Sequence, residues 1–583
     1  MEIKMNKRFE YKDLPDMNSI HDDIDKIAEQ VTIGETLFMK KFGVKSEAEY
    51  KKKMAADGHI MKHTHIGWNS WDATAKGTEH IYHELTKRGS YVDRFGYCLD
   101  WVMGVPENMR HLLPIGTGLT FKSPEEWAKI GQVVPVQPHL GDHMIGSLNS
   151  VENTVNALNA GVTTMGNISQ YYTYEYPGID LEEERVIDMI KAIGVMGKFR
   201  DQGTIIHSNV DDGFGAQFHD LANLVGWCMI ERYIVEDLLG GGMCHCFGNL
   251  FSDPILRITF EQSMLEINKT HTPGSMIYGN TIDFGFDYER NFGALSSYSL
   301  GDIIGQRHKA SGHAVTVIPV TEAARIPSAD EIIQAHMTID MMIEKAGFFD
   351  SYLDWAKIEA DKNILVTCGR IFFERVLNGL DDLDVDINHP GEMLGALKAI
   401  GPAQLEEKFG VGREDKLAMR GRVPIRPTDI VSTINKKEHK ISDHIDHLVG
   451  SLKGYNLIVA STDVHEFGKE IVKSVLLQAD ANVYDLGSSV TVQEIVDTVK
   501  ETESSVVLIS TFNGIALSYA KELITAMKEN DLSDVKLIMG GLLNENKDGS
   551  DLPIDVADDL KELGISCDNK AENLVKNIKA LTA

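Results

Sequence analysis

The stretch YNLIVASTDVHEFGKEIVKSVLLQAD, residues 455–480, contains a complete strand, loop and helix pattern. An apolar run of strand length is followed by the polar segment STDVHEFG (461–468) and then by apolar residues at helical spacing. His465 therefore falls in a short loop, with Asp463 two residues before it and Gly468 three residues after it. Such a loop follows the carboxyl end of its strand, where parallel sheets bind ligands.

The same alternation continues to the end of the sequence. Further strand-length runs are NVYDLG, SVVLIS, VKLIMGG and GISCD, and helical stretches separate them. Five strand and helix units predict a doubly wound, flavodoxin-like (Rossmann-like) α/β domain over residues 451–583. The segments STFNG (510–514) and GG (540–541) follow the third and fourth strands, so they are predicted to share the edge that carries STDVHEFG.

The longer part of the chain before this domain shows a different arrangement. Residues 60–400 contain many apolar segments ended by glycine and separated by helical stretches. This pattern predicts a (β/α)8 TIM-type barrel, in which polar residues just after each strand lie on the catalytic face. Residues 1–59 are predicted to form a helical N-terminal extension, and the charged stretch 401–450 a linker with short helices.

Composition narrows the class of partner. The 583 residues carry a formal net charge of −30, which disfavours binding to nucleic acid and to anionic membranes. Six scattered cysteines do not form a disulfide framework, and the sequence shows neither a signal peptide nor a membrane-spanning run. We expect a cytoplasmic enzyme that acts on a small molecule, without a nucleic-acid or membrane partner, and that forms a homo-oligomer.

The C-terminal motifs resemble the cobalamin-binding domain of adenosylcobalamin mutases and methionine-synthase-like proteins. That family has the pattern D-x-H-x-x-G, then S-x-L, then G-G, and Phe512 stands here in place of the leucine. The resemblance implies that His465 displaces the dimethylbenzimidazole base of the cofactor and becomes the lower cobalt ligand, with Asp463 fixing its tautomer. It also implies a slot for the displaced nucleotide tail, lined by Gly468, Ser510, Thr511, Gly540 and Gly541.

The barrel region resembles the large subunit of glutamate mutase over much of residues 60–350. The segment VTEAARIPSADEIIQAHMTIDMM (320–342) matches a segment whose glutamate, here Glu322, holds the adenosine ribose. GVTTMGNISQYYTY (161–174) resembles a strand end with a tyrosine on the substrate side, here Tyr174, and FGNLFSDPILR (247–257) resembles a Gly-Asn strand end that contains Asn249.

Departures from that family bear on the substrate. His139 stands where glutamate mutase has an arginine that grips a substrate carboxylate, and Ile318 stands where it has a lysine. No acid is present near Thr164 to hold a substrate ammonium group. The resemblance therefore implies an adenosylcobalamin-dependent carbon-skeleton mutase for a small carboxylic acid without an amino group, such as 2-methyleneglutarate, whose mutase is a single-chain relative.

Polar residues at the predicted strand ends are the candidates for contact with the substrate. Four of them, Glu322, Tyr174, His139 and Asn249, are predicted to be catalytic. The full set is His139, Asp142, His143, Asn167, Gln170, Tyr174, His207, Asn209, Asn249, Asn280 and Glu322.

Other functions stay open at this point. A methylaspartate mutase of the glutamate mutase type, a corrinoid methyltransferase and a non-enzymatic cobalamin sensor would all use the same C-terminal domain. A methyltransferase is expected to carry a helical cap before that domain, and 401–450 offers none. The pair Cys244 and Cys246, and the histidines of HTH (63–65) with His80 and His83, are interpreted as barrel residues and a solvated helix face rather than zinc sites.

Overall fold

The computed structural model divides the chain into two compact units. The first consists almost wholly of residues before Asp429, and the second mainly of residues from Asp429 onward. The residues that the structure describes are 14–113, 115–116, 118–176, 178–179, 181–210, 213–249, 251–279, 281, 284–285, 287–322, 325–415, 418, 420–429, 431, 450–462, 467–487, 490–511, 514–545, 554–567 and 573–582.

Eight parallel strands form a barrel in the first unit, as the sequence predicts. They are β1 (Lys62–Ile66), β2 (Arg94–Tyr97), β3 (Gln137–Leu140), β4 (Thr164–Met165), β5 (Ile205–Asn209), β6 (Met243–Cys246), β7 (Met276–Ile277) and β8 (Ala314–Thr316). Their order is β6-β5-β4-β3-β2-β1-β8-β7. The seam between β6 and β7 is joined by a bridge of Phe247 with Ile277 and by the amide of Tyr278, which donates to the Phe247 carbonyl at 2.6 Å.

Each barrel strand is followed by at least one helix. The helices after β1 to β8 are Trp71–Lys87, Pro124–Trp127, Ser150–Asn159, Ser169–Thr173 with Glu182–Lys198, Leu221–Arg232 with the π-helical turn Tyr233–Leu238, Pro254–Ile267, Tyr288–His308 and Ala329–Ala346. The shorter 3₁₀ turns are Trp101–Gly104, Glu107–Leu112, Arg200–Gln202 and Gly215–Gln217. Local sequence sets several helix starts: Ser328 and Glu331 form a capping box, and Asp253 caps the helix that begins at Pro254.

Helices outside the strand and helix repeat complete this unit. Met17–Ala28, Leu37–Phe42 and Glu47–Ala56 precede the barrel, while Trp355–Asp381, Pro390–Phe409 and the hairpin of β9 (Arg413–Glu414) with β10 (Arg422–Val423) follow it. The helix Glu47–Ala56 covers the N-terminal side of the barrel, because Lys51 Nζ donates to the Gly274 and Ser275 carbonyls just before β7. No helix in the described part of the chain has both the length and the apolar character needed to cross a bilayer.

Arg257 holds together the loops that follow β6 and β7. Its Nε and Nη2 donate to the two carboxylate oxygens of Asp302, each at 2.7 Å. The remaining guanidinium protons reach the carbonyls of Gly248, Phe251 and Tyr278. Because both charged side chains are buried and all five donors of the arginine are used, this pair fixes the seam between β6 and β7.

The second unit is the predicted doubly wound domain. Its parallel strands are β11 (Asn456–Ser461), β12 (Asn482–Asp485), β13 (Val506–Thr511), β14 (Lys536–Gly541) and β17 (Ser566–Cys567), in the order β12-β11-β13-β14-β17. The short strands β15 (Asn544–Glu545) and β16 (Ile554–Asp555) form a separate hairpin. This order is the flavodoxin-like one.

Helices cover both faces of this sheet. Along β11, Ile458 and Ala460 pack into one core, and Leu457 and Val459 pack into the other. The helices Val492–Thr502, Ala516–Glu529 and Ala557–Glu562 contribute to the first core, and Phe467–Gln478 and Leu574–Thr582 to the second. The near-continuous apolar strands in the sequence reflect this burial on both faces.

Replacing Arg257 by methionine should destabilise the first unit. The change leaves the Asp302 carboxylate buried without its partner, so we expect the free energy of unfolding to fall by about 3–5 kcal/mol. Arg307→Met is the matched control: Arg307 pairs with Asp350 at the surface, and we expect a loss below about 1 kcal/mol. Calorimetric unfolding of both variants measures the difference, and equal losses would contradict the role of Arg257.

Candidate functional site

Five of the predicted cofactor residues meet at one edge of the second unit. Ser510 pairs in register with Ser461 on one side and with Gly540 on the other, and Thr511 pairs with Gly541. The amide of Thr462 donates to the Ser510 carbonyl at 2.9 Å. The ends of β11, β13 and β14 therefore form a continuous ledge at the carboxyl edge of the sheet.

Glycine lies at two close approaches on this ledge. A Cβ atom on Gly468 would lie 2.6 Å from Ser510 Oγ, so the first turn of the helix Phe467–Gln478 packs directly against the Ser510 side chain of β13. Gly541 has a φ of +97°, and a Cβ there would lie 2.3 Å from the Thr511 carbonyl oxygen. These two glycines keep the surface between the strand ends free of side chains.

Thr511 offers a polar atom at this edge. Its hydroxyl is buried and has no hydrogen-bond partner among the residues that the structure describes. A buried hydroxyl without a partner is unfavourable, and a bound polar group would supply the missing hydrogen bond. The open glycine surface and this hydroxyl fit the slot for a nucleotide tail that the sequence predicts.

The sequence did not single out Asp485, which ends β12 at the same edge. Lys469 Nζ and Lys473 Nζ each lie 2.6 Å from one of its carboxylate oxygens. Burial alone would raise the pKa of this carboxyl group, but the two ammonium groups lower it below its usual range. The spacing of the two lysines, at i and i+4, was the signal in the sequence that could have indicated this ion-pair site. The two ion pairs anchor the helix that follows the STDVHEFG loop.

The predicted cobalt ligand His465 and its partner Asp463 lie outside the described residues. Their roles stay predictions. Gly468, the last residue of the motif, is described and lies against Ser510. Ser461, the first residue of the motif, pairs with Ser510. Both ends of the motif therefore lie at the sheet edge.

Acidic groups gather at the mouth of the barrel. Glu322 lies in the loop after β8, where its amide donates to the Pro319 carbonyl at 3.0 Å, and burial raises its pKa to about 7. Burial, and then the carboxylates of Asp142 and Glu322, raise the pKa of the Cys98 thiol after β2. Tyr278, after β7, has its pKa raised by burial and by the same two carboxylates. The surroundings at the mouth therefore favour the protonated, uncharged forms of these side chains.

Two candidate residues of the mouth have structural hydrogen bonds. Gln170 Nε2 donates to Asp142 Oδ1 at 3.0 Å, and Gln170 Oε1 accepts from the amide of His143 at 2.9 Å, which ties the loops after β3 and β4 together. Asn167 Oδ1 accepts from the amide of Asn209 at 2.8 Å. The side chains of Gln170 and Asn167 therefore form hydrogen bonds that fix the conformation of these loops.

Tyr174 and Asn249 lie in loops that follow strands, as predicted. Tyr174 is half-buried after the helix Ser169–Thr173, with its ring 5.9 Å from that of Tyr176. Asn249 Oδ1 accepts from the amide of Thr281 at 3.3 Å. Asn280 lies outside the described residues.

His139 lies deeper than a residue in a loop at the mouth would. It belongs to β3, is fully buried, and its Nδ1 lies 3.0 Å from the Thr164 carbonyl oxygen. Its ring centroid is 5.9 Å from that of His63 and 5.2 Å from that of His207, which belong to β1 and β5. Burial and the nearby Arg94 hold the pKa of His139 well below its usual range, so its imidazole is neutral.

The alternative zinc sites do not assemble. Among the described residues, no group of three or more histidine, cysteine or acidic side chains is placed to hold a metal ion. Cys244 and Cys246 are buried in β6, and His63 and His65 belong to β1. His80 Nε2 instead contacts Asp330 at the surface, at 3.2 Å.

Comparison with known proteins identifies the second unit. The B12 binding domain model matches residues 455–551. Over 94 residues, 16% of this chain, the sequence is 34% identical to the glutamate mutase sigma subunit of Carboxydothermus hydrogenoformans and covers 69% of that subunit. Over 96 residues, also 16% of this chain, it is 34% identical to dimethylamine corrinoid protein 3 of Methanosarcina acetivorans.

The match to dimethylamine corrinoid protein 3 covers 45% of that protein, so the chain spans less than half the length of this relative. Among solved structures, a cobalamin-binding protein from Desulfitobacterium hafniense DCB-2 matches at 22% identity with a TM-score of 0.22, over 36% of this chain and 94% of that one. The sequence and domain matches confirm the prediction that the chain binds cobalamin through its C-terminal part.

Substitution of Gly541 by alanine should damage the sheet edge. Alanine would meet a left-handed backbone and the Thr511 carbonyl together, whereas Gly564→Ala meets a similar φ of +84° with open space around it. We expect Gly541→Ala to lose at least about 1 kcal/mol more of the free energy of unfolding of the second unit, and to bind cobalamin more weakly than Gly564→Ala. Thermal unfolding and absorbance titration measure both effects, and indistinguishable variants would refute this.

Glu322 should make stability depend on pH. Its pKa is about 7 in the folded chain and near its ordinary value of 4.5 when unfolded, so the folded state binds the proton more tightly. The contribution of Glu322 to stability therefore falls as pH rises from 4.5 to 7, by roughly 2–3 kcal/mol, and is constant above pH 7. The difference in unfolding free energy between wild type and Glu322→Gln should show this decline. Glu84→Gln, at a half-buried residue whose pKa Lys87 and Arg88 lower instead, should not.

Proposed function

The chain belongs to the B12-binding domain family through residues 455–551, and from this premise we propose that it is an adenosylcobalamin-dependent carbon-skeleton mutase acting on a small carboxylic acid. The observation that carries the proposal is the eight-stranded barrel on the same chain, with a half-buried carboxyl group, Glu322, in the loop after its last strand. Barrel enzymes place their chemistry at that end of the strands.

Adenosylcobalamin, when bound, supplies a 5′-deoxyadenosyl radical through homolysis of its cobalt–carbon bond. The protein has to position the groups and exclude water. In this proposal His465 would hold the cobalt, while Gly468, Thr511 and Gly541 would accommodate the nucleotide tail.

At the barrel mouth, Glu322 is the group proposed to hold the ribose. With a pKa of about 7, both the protonated and the ionised form of its carboxyl group are populated near neutral pH. It can therefore donate or accept a hydrogen bond with a ribose hydroxyl. Tyr174 and Asn249 are proposed to contact the substrate from the loops after β4 and β6.

The substrate we propose is a small carboxylic acid, with 2-methyleneglutarate as the specific candidate. The support is the sequence departure at Thr164, which is buried in β4 and provides no carboxylate for an amino group. A homo-oligomeric state and a cytoplasmic location are part of the same proposal. A methylaspartate mutase of the glutamate mutase type is the nearest variant of it, and similarity to the glutamate mutase sigma subunit favours that variant.

A corrinoid methyl carrier or methyltransferase is the second candidate. It is favoured by the 34% identity with dimethylamine corrinoid protein 3 over 96 residues. This function would require methylcobalamin and a methyl donor, and no organic radical. A cobalamin sensor would bind the cofactor without either reaction.

Electron paramagnetic resonance separates these functions. The protein is mixed anaerobically with adenosylcobalamin and a panel of small mono- and dicarboxylic acids, amino and non-amino, and then frozen. We expect a coupled signal of cobalt(II) and an organic radical with a non-amino acid. A signal only with glutamate or methylaspartate would support the methylaspartate mutase variant. Silence across the panel would overturn the mutase proposal.

Cobalt ligation is tested in parallel, without turnover. The protein is labelled with ¹⁵N-histidine and loaded with cobalt(II) cobalamin, and we expect the superhyperfine splitting to change from the ¹⁴N to the ¹⁵N pattern. His465→Ala should remove this labelled-histidine splitting, whereas His389→Ala, in the first unit, should keep it. Unchanged splitting in His465→Ala would show that another group ligates cobalt, whatever the result of the substrate panel.

A further inference from the structure

A second polar cluster lies inside the barrel, apart from the residues of the mouth. Arg94, the first residue of β2, pairs in register with His63 of β1, and the ring of His63 lies 5.9 Å from that of His139. All three side chains are almost completely buried. Lys51 and Glu47 reach the same region from the helix that covers the N-terminal side of the barrel.

The charges of this cluster do not balance. Glu47 Oε1 lies 2.9 Å from Arg94 Nε and 3.2 Å from Lys51 Nζ, so one carboxylate serves two cations. In the described part of the chain, neither cation forms an ion pair with any other carboxylate. Burial lowers the pKa of Lys51 to about 8, which still leaves it mostly protonated at neutral pH. One positive charge is therefore left over in the barrel interior.

Several polar atoms around this charge also lack partners. Arg94 Nη1, both ring nitrogens of His63 and Nε2 of His139 are buried without a hydrogen-bond partner among the described residues. His139 Nδ1 faces the Thr164 carbonyl and must carry a proton to bond with it. The neutral His63 has an N–H group with nothing to donate to. Unpaired charge and unpaired donors are each costly in a protein interior.

We propose that this cluster binds one small monovalent anion of the carboxylate type, with Arg94 Nη1 and an N–H group of His63 as its donors. An anion would balance the excess charge and accept from donors that are otherwise unsatisfied. A guanidinium and a carboxylate match in charge and in planar geometry. The anion has two possible sources, the carboxylate group of an organic acid or a free inorganic ion such as chloride. This anion site is inferred from the charges and unpaired donors inside the barrel, and it does not depend on the mutase proposal.

The test is isothermal titration calorimetry of the full chain without cobalamin, with formate, acetate and chloride at constant ionic strength. We expect one anion per chain. Arg94→Met and Lys51→Met each remove the excess charge and should weaken binding at least tenfold, while Glu47→Gln adds to the excess charge and should tighten it. Lys62→Met is the matched control, because buried Lys62 has its own carboxylate partner in Asp340 and should leave the affinity unchanged.

Protein that is purified with the anion already bound would give no heat, so the anion released on denaturation is measured by ion chromatography. Formate and acetate binding more tightly than chloride would identify an organic carboxylate as the ligand, and the reverse an inorganic ion. Absence of both heat and released anion, or equal affinity in all variants, would overturn the proposal. If Arg94→Met does not fold, the opposite shifts expected for Lys51→Met and Glu47→Gln still decide it.

Discussion

The ion pairs of Glu47 with Arg94 and Lys51 set the character of the barrel interior. They join the helix Glu47–Ala56 to β2, while Lys51 also binds the carbonyls just before β7. Buried charges of this kind are tolerated only when they are paired and hydrogen bonded. The interior of this barrel is accordingly lined with polar side chains, whereas branched aliphatic residues usually fill such a core. Burial and the charge of Arg94 together keep the neighbouring imidazoles neutral.

The second constraint is that backbone segments come very close together at strand ends. In both units a glycine allows this close approach. In the first unit, Gly248 has a φ of +127°, and a Cβ there would lie 2.1 Å from the Tyr278 carbonyl oxygen. In the second, Gly541 has the same relation to Thr511. In each case a Cβ atom would clash with a backbone carbonyl at the carboxyl edge of a parallel sheet. The edges that can bind ligands are therefore shaped by missing side chains as much as by those present.

Much of this architecture could be predicted from the sequence, because both units repeat a local pattern. Apolar runs alternating with helical stretches predicted both folds, and the shared edge of parallel strands predicted that Ser510, Thr511, Gly540 and Gly541 would meet. Depth inside the barrel was not predictable in this way. His139 looked like a strand-end residue, yet β3 continues to Leu140 and its side chain is fully buried. The Glu47 to Arg94 pair joins segments far apart in the chain, and no local spacing reveals such a pairing.

The two polar regions of the barrel carry opposite electrostatic character along one strand. Arg94 begins β2, and Cys98, whose thiol is influenced by Asp142 and Glu322, follows its end. Four residues of strand separate positive from acidic surroundings by roughly 13 Å. A small carboxylic acid, even one with two carboxylates, is too short to reach from Arg94 to Glu322 and Asp142. The two regions therefore cannot share one small ligand. At the mouth, burial raises the pKa of Glu322 to about 7, so its protonated form is accessible at neutral pH beside Asp142.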